Sequence, residues 1–148
     1  MGSTAEVMHH DCVRDPRVAV IIIRDRSGWY FLNRRSADRA LFPGCFGIGA
    51  GGKAHESESV NDAARRELHE ETGLVAQPLE LFTFGFDGGS ARHEVHVFQL
   101  IIGRVRLPNH EAEWSASGWV PPSLVEKLFV ADLLSPDTSQ MYAKYRML

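Results

Sequence analysis

A chain of 148 residues, 44% hydrophobic and 24% charged, has the size and balance of one soluble globular domain and buries about two thirds of its unfolded surface. The formal charge of −3 supplies no basic footprint, which argues against a nucleic-acid polymer as partner, and two cysteines, Cys12 and Cys45, make no disulfide framework. No apolar run approaches about 18 residues, no signal-peptide pattern opens the chain, and Glu6 breaks the myristoylation pattern, so the expected location is cytoplasmic, with no membrane partner.

Residues 1–16 are polar and end in Asp-Pro, and are expected to form an N-terminal arm ahead of a single domain over 17–148. His9, His10, Asp11 and Cys12 are metal-ligand types, but no second cluster at zinc-site spacing follows, so the arm reads as a terminal segment. Arg17 to Arg24 holds the β-branched run VAVIII and predicts a strand covered on both faces. Asp25 to Gly28 supply a turn, and Trp29 to Asn33 the return strand of a hairpin. Arg34 and Arg35 follow; adjacent arginines at a strand end are ordinarily solvated, although guanidinium also suits phosphate geometry. Ser36 to Cys45 reads as a loop anchored by Leu41 and Phe42, and Phe46 to Ala50 as a short strand delivering a glycine pair.

Two glycine motifs here are decoys. Gly47, Gly49 and Gly52 satisfy G-x-G-x-x-G, but the next helix starts too late for a dinucleotide turn and no βαβ repeat follows. Lys53 with Gly47 and Gly52 mimics a P-loop, yet Ala54 replaces the hydroxyl residue that holds Mg²⁺.

The helix itself is bounded by its own signals. Ser59 with Asp62 reads as a capping box, with Ser57 as an alternative start, and Gly73 followed by Leu74 reads as a left-handed C-cap. At 100° per residue, Glu67, Glu70 and Glu71 fall within an arc of roughly 100°, nearly the arc onto which Val60, Ala63, Ala64 and Leu68 project. Two explanations compete: a solvated helix with a narrow apolar seam, or a buried face that ends in an acidic cluster lining a cleft. The carboxylates sit at the negative pole of the helix dipole, which costs roughly 0.3 to 1 kcal/mol each, and a bound cation would remove that cost. Carboxylate oxygens are hard ligands suited to Mg²⁺ or Mn²⁺.

Beyond the helix, Leu79 to Phe86 reads as a strand, Asp87 to Ser90 as a turn, and Glu94 to Ile102 as an alternating strand that Arg104 to Leu107 continue past Gly103. His93 and His96 point to opposite faces of that strand and lack HExxH spacing, so they are structural or substrate-facing rather than zinc ligands. Glu111 and Glu113 precede Trp119 and Val120, and taken alone are surface acids in a loop. Two helices close the chain, Ser123 to Phe129 and Pro136 to Met147, capped by Ser123 and Ser135. Mixed strands around one helix, with helices at the end, predict an α/β sandwich with a mixed sheet between helices.

Residues 52–74 carry more than a helix. Gly52, Glu58, Arg66, Glu67, Leu68, Glu70, Glu71, Gly73 and Leu74 fit G-x5-E-x7-R-E-U-x-E-E-x-G-U, with U aliphatic, at every specified position. This segment resembles the Nudix box of the Nudix hydrolases. The resemblance implies an α/β/α sandwich with a central loop-helix-loop motif, and a divalent-metal-dependent hydrolase that cleaves the diphosphate linkage of a nucleoside diphosphate-X compound by water attack at phosphorus. It implies Glu67, Glu70 and Glu71 as metal-binding and base-forming carboxylates, with the Gly51 carbonyl as a further ligand, Arg66 orienting Glu67, and Glu58 and Gly52 in support. It implies Arg34, as a phosphate contact, and Lys53 as substrate-binding residues, and Glu113, by its offset from Trp119, as the distal glutamate, ahead of Glu111 and Glu94. Mg²⁺, with Mn²⁺ as substitute, is the implied cofactor, a small-molecule diphosphate the implied partner, and a homodimer the family's frequent assembly.

Two other readings stand beside it. FLNRRSADRALFPGCFG and SPDTSQMY resemble the isopentenyl-diphosphate-isomerase branch, but Gly51 and Lys53 occupy the places of that branch's cysteine and histidine, so isomerisation is disfavoured. A Nudix module that binds a diphosphate ligand without cleaving it is the non-enzyme alternative, disfavoured because no box glutamate is lost.

Overall fold

The computed structural model describes residues 15–89, 92–107 and 113–148. His9 to Cys12 and Glu111 lie outside these residues. In chain order the elements are β1 (Arg17–Asp25), β2 (Tyr30–Arg35), β3 (Phe46–Ile48), β4 (Ala50–Lys53), α1 (Val60–Thr72), β5 (Leu79–Asp87), β6 (Arg92–Ile102), β7 (Trp114–Val120), α2 (Pro122–Val130) and α3 (Pro136–Tyr145).

The β-branched run of β1 forms the middle of the sheet because it is covered on both faces: Ile21, Ile22 and Ile23 are fully buried, and each such side chain contributes about 1.5–3 kcal/mol relative to exposure. β6 runs parallel to β1 along its whole length, from Arg17 against Glu94 to Asp25 against Ile102. β5 continues the sheet antiparallel to β6. On the other side of β1 the sheet forks. Arg24 pairs with Tyr30 at the hairpin, but the first half of β1, Val18 to Ile21, pairs with β4 instead of β2. β2 meanwhile pairs with β3 through Leu32, Asn33 and Arg34, and with β7 on its far edge.

Residues 46–53 therefore fill the fork, pairing first with one arm and then with the other. Gly49, at φ +74°, is the joint, and it replaces the single strand expected over Phe46 to Ala50 with two short ones. A Cβ at this position would lie 1.7 Å from the Ile21 carbonyl oxygen, so only glycine fits.

The faces of this mixed sheet are covered unequally. α1 lays Ala63, Ala64 and Leu68 against Ala19, Ile21, Phe31 and Phe98 on one face. α2 and α3 cover the other, with Val125, Leu128, Met141 and Tyr142 packed on Ile22, Leu32, Val95 and Val97. The arrangement is the expected α/β/α sandwich.

Element ends differ in places from the sequence expectation. β6 stops at Ile102 rather than continuing through Arg104 to Leu107, because Arg104 turns away to bond Asp25 at 2.6 Å and to stack on Trp29. α2 begins at Pro122 with Pro121 at the N-cap, so Ser123 lies inside the helix. Ser135 does occupy the N-cap of α3, but its hydroxyl bonds Asp137 and Thr138 side chains instead of a helix N–H, and the helix ends at Tyr145.

Candidate functional site

α1 is capped at both ends as its sequence predicts. The Ser59 side chain accepts from the Asp62 N–H at 3.1 Å, and Gly73 adopts φ +78° to close the C-terminus onto the His69 carbonyl. Between those caps, the buried stripe Ala64, Leu68 continues directly into Glu71, which is only 4% exposed. The second explanation of the acidic face is therefore the observed one.

β4 fixes these carboxylates from below. The Gly51 N–H donates to Glu71 Oε1 at 2.6 Å. At Gly52, an added Cβ would lie 2.3 Å from the Glu67 carboxyl carbon, so the missing side chain is what lets Glu67 lie against the strand. Arg66 holds the opposite flank. Its Nε and Nη2 bond the Glu58 carboxylate at 2.9 Å, Nη1 bonds Glu67 at 2.8 Å and approaches Glu70 at 3.3 Å, and Nη2 donates to the Lys53 carbonyl at 3.1 Å.

Charge differs sharply between these acids. The Arg66 guanidinium, with the His55 N–H, holds the Glu58 carboxyl down at about 2, and the same pairing pushes the guanidinium up. Burial pushes Glu67 up against the opposing pull of Arg66. Glu71 is pushed well above the ordinary carboxylate range, first by burial and then by the Glu113 carboxyl with which it shares a hydrogen bond. Two carboxyl groups in that relation hold either a proton or a cation between them. A hard divalent ion suits this set, because it takes oxygen donors and removes the cost of burying Glu71 beside Glu67 and Glu113. Among the described residues no three acid, imidazole or thiol groups converge as a ready coordination shell. Glu67 is turned toward Arg66, and the Glu70 side chain stands half exposed, outside the cleft wall.

The cleft has a volume of about 610 Å³. Gly51, Gly52, Lys53, Glu67, Glu71 and Glu113 line its acidic end. Arg35 and Arg39 line the cleft as well, and Arg39 Nη1 lies 3.5 Å from Glu113 Oε1. Arg39 Nε is buried without a hydrogen-bond partner. Burial, and next the like charge of Arg39, push the Arg35 guanidinium down against the pull of Asp137 and Glu113.

Arg34 is not among the residues that line the cleft. It points away from the cleft, donating to the Gly44 carbonyl at 3.0 Å and covering Phe46, and its neighbour Arg35 takes the inward position. Side chains alternate along β2, and buried Asn33, which donates to the Gly49 carbonyl at 2.7 Å, marks the inward face that Arg35 shares. That alternation was the available signal for Arg35. Arg39 and Asp137, to which nothing in the sequence points, also border the cleft, as does His93, one of the two histidines expected to be structural or substrate-facing. Arg39 lies in a loop and Asp137 on a distant helix, where no spacing rule reports convergence. Cys45 lies outside the cleft wall.

A mixed sheet between helices, with one acidic helix clamped to a glycine strand at the head of a polar cleft, is the architecture of this site. Comparison with known proteins gives the family: the NUDIX domain model matches residues 13–145, and the chain belongs to the Nudix family. An uncharacterized Nudix hydrolase of Streptomyces coelicolor is 31% identical over 150 residues, covering 96% of this chain and 76% of that one. The Nudix hydrolase YfcD of Escherichia coli K12 is 32% identical over 143 residues, 95% of this chain and 77% of its own. The nucleoside triphosphatase NudI of Escherichia fergusonii is 30% identical over 118 residues, 72% of this chain and 82% of its own. Among solved structures, the Nudix domain of NrtR from Shewanella oneidensis, crystallised with ADP-ribose, shares the fold at TM-score 0.74 and 20% identity, over 97% of this chain and 98% of that one. The protein is thus a pyrophosphohydrolase of a family that generally uses divalent metals.

Proposed function

We propose that the protein cleaves the diphosphate linkage of a nucleoside diphosphate-X compound with Mg²⁺, or Mn²⁺ in its stead, by attack of water at phosphorus. The observation that carries this reading is the buried Glu71 carboxyl facing Glu113 at the head of the cleft, beside a complete Nudix box. Glu67, Glu70, Glu71 and the Gly51 carbonyl would hold the metal. When bound, such an ion polarises phosphoryl oxygens and lowers the pKa of its water.

The remaining work falls to the chain. A box glutamate, Glu67 or Glu70, or the distal Glu113, takes the proton of the attacking water. Arg66 keeps Glu67 and Glu70 on one side of the site, and Glu58 in turn fixes Arg66. Gly52 leaves the room that Glu67 occupies. Arg35 and Arg39, with Lys53, supply positive charge where the diphosphate lies, and take over the role that the family resemblance assigned to Arg34. Isomerisation is disfavoured because Gly51 and Lys53 provide no thiol or imidazole for proton transfer, and Cys45 does not border the cleft.

The test is phosphate or nucleotide release with Mg²⁺ across nucleoside diphosphate sugars, dinucleoside polyphosphates, nucleoside triphosphates, coenzyme A and prenyl diphosphates. Nucleoside triphosphates belong there because of the likeness to NudI. Turnover that disappears in Glu70→Gln or Glu71→Gln, with the fold kept, is the expected result. Tight binding without turnover throughout the panel would favour the non-catalytic module.

A further inference from the structure

The cleft contains a polar pair that the hydrolysis above leaves unused. His93 comes from β6 on the face covered by α3, and Asp137 from the first turn of α3. His93 Nε2 lies 3.2 Å from Asp137 Oδ2, while Asp137 Oδ1 accepts from the Ser135 hydroxyl and the Thr138 N–H at 2.9 Å each. Burial opposes the Asp137 charge, but the bonds from His93 and Ser135 outweigh it and keep the carboxyl below its ordinary range. Phe86 covers one face of the imidazole at 5.0 Å, and Phe42 braces Phe86 edge-on at 6.0 Å.

The ring is therefore fixed through one nitrogen, and the other is left over. His93 is 7% exposed, and among the described residues nothing bonds its Nδ1. Among those residues the fully buried side-chain atom lacking a partner is Arg39 Nε, so Nδ1 is open to the cleft that its ring borders. Arg35 lines the same cleft and is near enough to feel the charges of Arg39, Asp137 and Glu113. Because Arg35, Arg39, His93 and Asp137 border one cleft, a diphosphate held by the two arginines can place its organic group at His93.

We propose that His93, positioned by Asp137, is a specificity-determining contact for a hydroxyl-bearing, sugar-type group attached to the diphosphate. This rests on the hydrolase reading above. With Nε2–H committed to Asp137, the Nδ1 lone pair accepts a hydroxyl proton. An apolar chain at that place displaces water from Nδ1 and returns no hydrogen bond, and this asymmetry is what produces discrimination.

Gln and Asn substitutions separate recognition from simple tethering of β6 to α3. A glutamine amide reaches the position of Nε2 and keeps the Asp137 bond, whereas an asparagine amide reaches that of Nδ1. His93→Gln and His93→Asn are assayed with Mg²⁺ on the best-cleaved sugar diphosphate of the panel, its mono-deoxy analogues and a prenyl diphosphate. In His93→Gln, kcat/KM for the sugar diphosphate should fall about tenfold to a hundredfold while Tm moves by less than about 2 °C. The deoxy analogue lacking the contacted hydroxyl should be cleaved equally by wild type and variant, and His93→Asn should retain more sugar activity than His93→Gln. A glutamine variant that keeps its sugar preference, or loses sugar and prenyl turnover equally, overturns the assignment while the hydrolase reading stands. If that variant fails to fold, sugar preference in His93→Asn decides: its retention supports the contact and its loss overturns it. A wild-type protein inactive on every member of the panel overturns the hydrolase reading itself.

Discussion

Gly49 and Gly52 stand three residues apart, and a methyl group added to each would meet different obstacles. At Gly49 the obstacle is the Ile21 carbonyl, 1.7 Å away, in a left-handed conformation. At Gly52 it is the end of the Glu67 side chain, which can swing aside. Gly49→Ala is therefore expected to destabilise the fold by at least about 2 kcal/mol, and Gly52→Ala to cost under about 1 kcal/mol in stability while lowering kcat at least tenfold. Thermal unfolding beside steady-state kinetics separates the two; equal stability loss in both variants would contradict the steric account. Glu71 yields a second expectation. A ligand in hundredfold excess over its Kd stabilises a protein by about 2.7 kcal/mol, so Mg²⁺ should raise the Tm of the chelator-treated protein. Glu71→Gln should lose most of that rise while being no less stable without metal, because the amide is neutral like the protonated carboxyl and its oxygen can still accept from the Gly51 N–H. The importance of Glu71 could be read from the box. The turn from Arg34 to Arg35 needed the inward face of β2, and the His93–Asp137 pair joins residues whose proximity only the folded chain creates.

Among the elements, α1 was the most legible, because its limits are set by local chemistry. Ser59 satisfies a free N–H of the first turn and Gly73 supplies the left-handed end, and neither depends on distant partners. Ser59→Ala should cost about 1 kcal/mol, read as a fall in Tm with the chemical step little changed. A variant as stable as wild type would mean that tertiary packing alone holds the helix. The division of 46–53 into β3 and β4 was illegible for the opposite reason. Which strand each half joins is decided by β1 and β2, whose divergence leaves no mark on the intervening glycines. The start of α2 was misjudged because Pro122, preset at the helical φ and with no N–H to satisfy, begins a helix without a capping hydroxyl.

For the whole molecule, pH provides a test of the charged networks. Glu58 is held at about 2 by Arg66, and Asp25, despite its burial, is held low by Arg104 and by the N–H groups of Trp29 and Ser27. Carboxyls depressed in the folded state contribute stability at pH values above their unfolded pKa, and that contribution fades as pH falls through the folded value. For Glu58 the window runs from 4.5 down to about 2. Glu58→Gln should accordingly be less stable than wild type near neutrality, with the gap closing as the solution is acidified through that window. Denaturant unfolding at a series of pH values measures it, and a gap that stays constant would mean that the Arg66 pairing does not persist in solution.

The forked sheet has a consequence for how such a molecule diversifies. One bank of the cleft, β4 with α1, is built from glycines and acids whose positions are mutually locked, so almost any replacement there damages the reaction. The opposite bank is drawn from the 36–45 loop, the start of β6 and the start of α3, and Arg39 joins it to Glu113 at the acidic end. Changes on that second shore that keep Arg39 can redraw the menu of accepted compounds without disturbing the bond-breaking apparatus. Swapping residues 36–45 together with 135–138 between relatives should therefore transfer substrate preference as a package, leaving metal requirement and stereochemical course with the recipient.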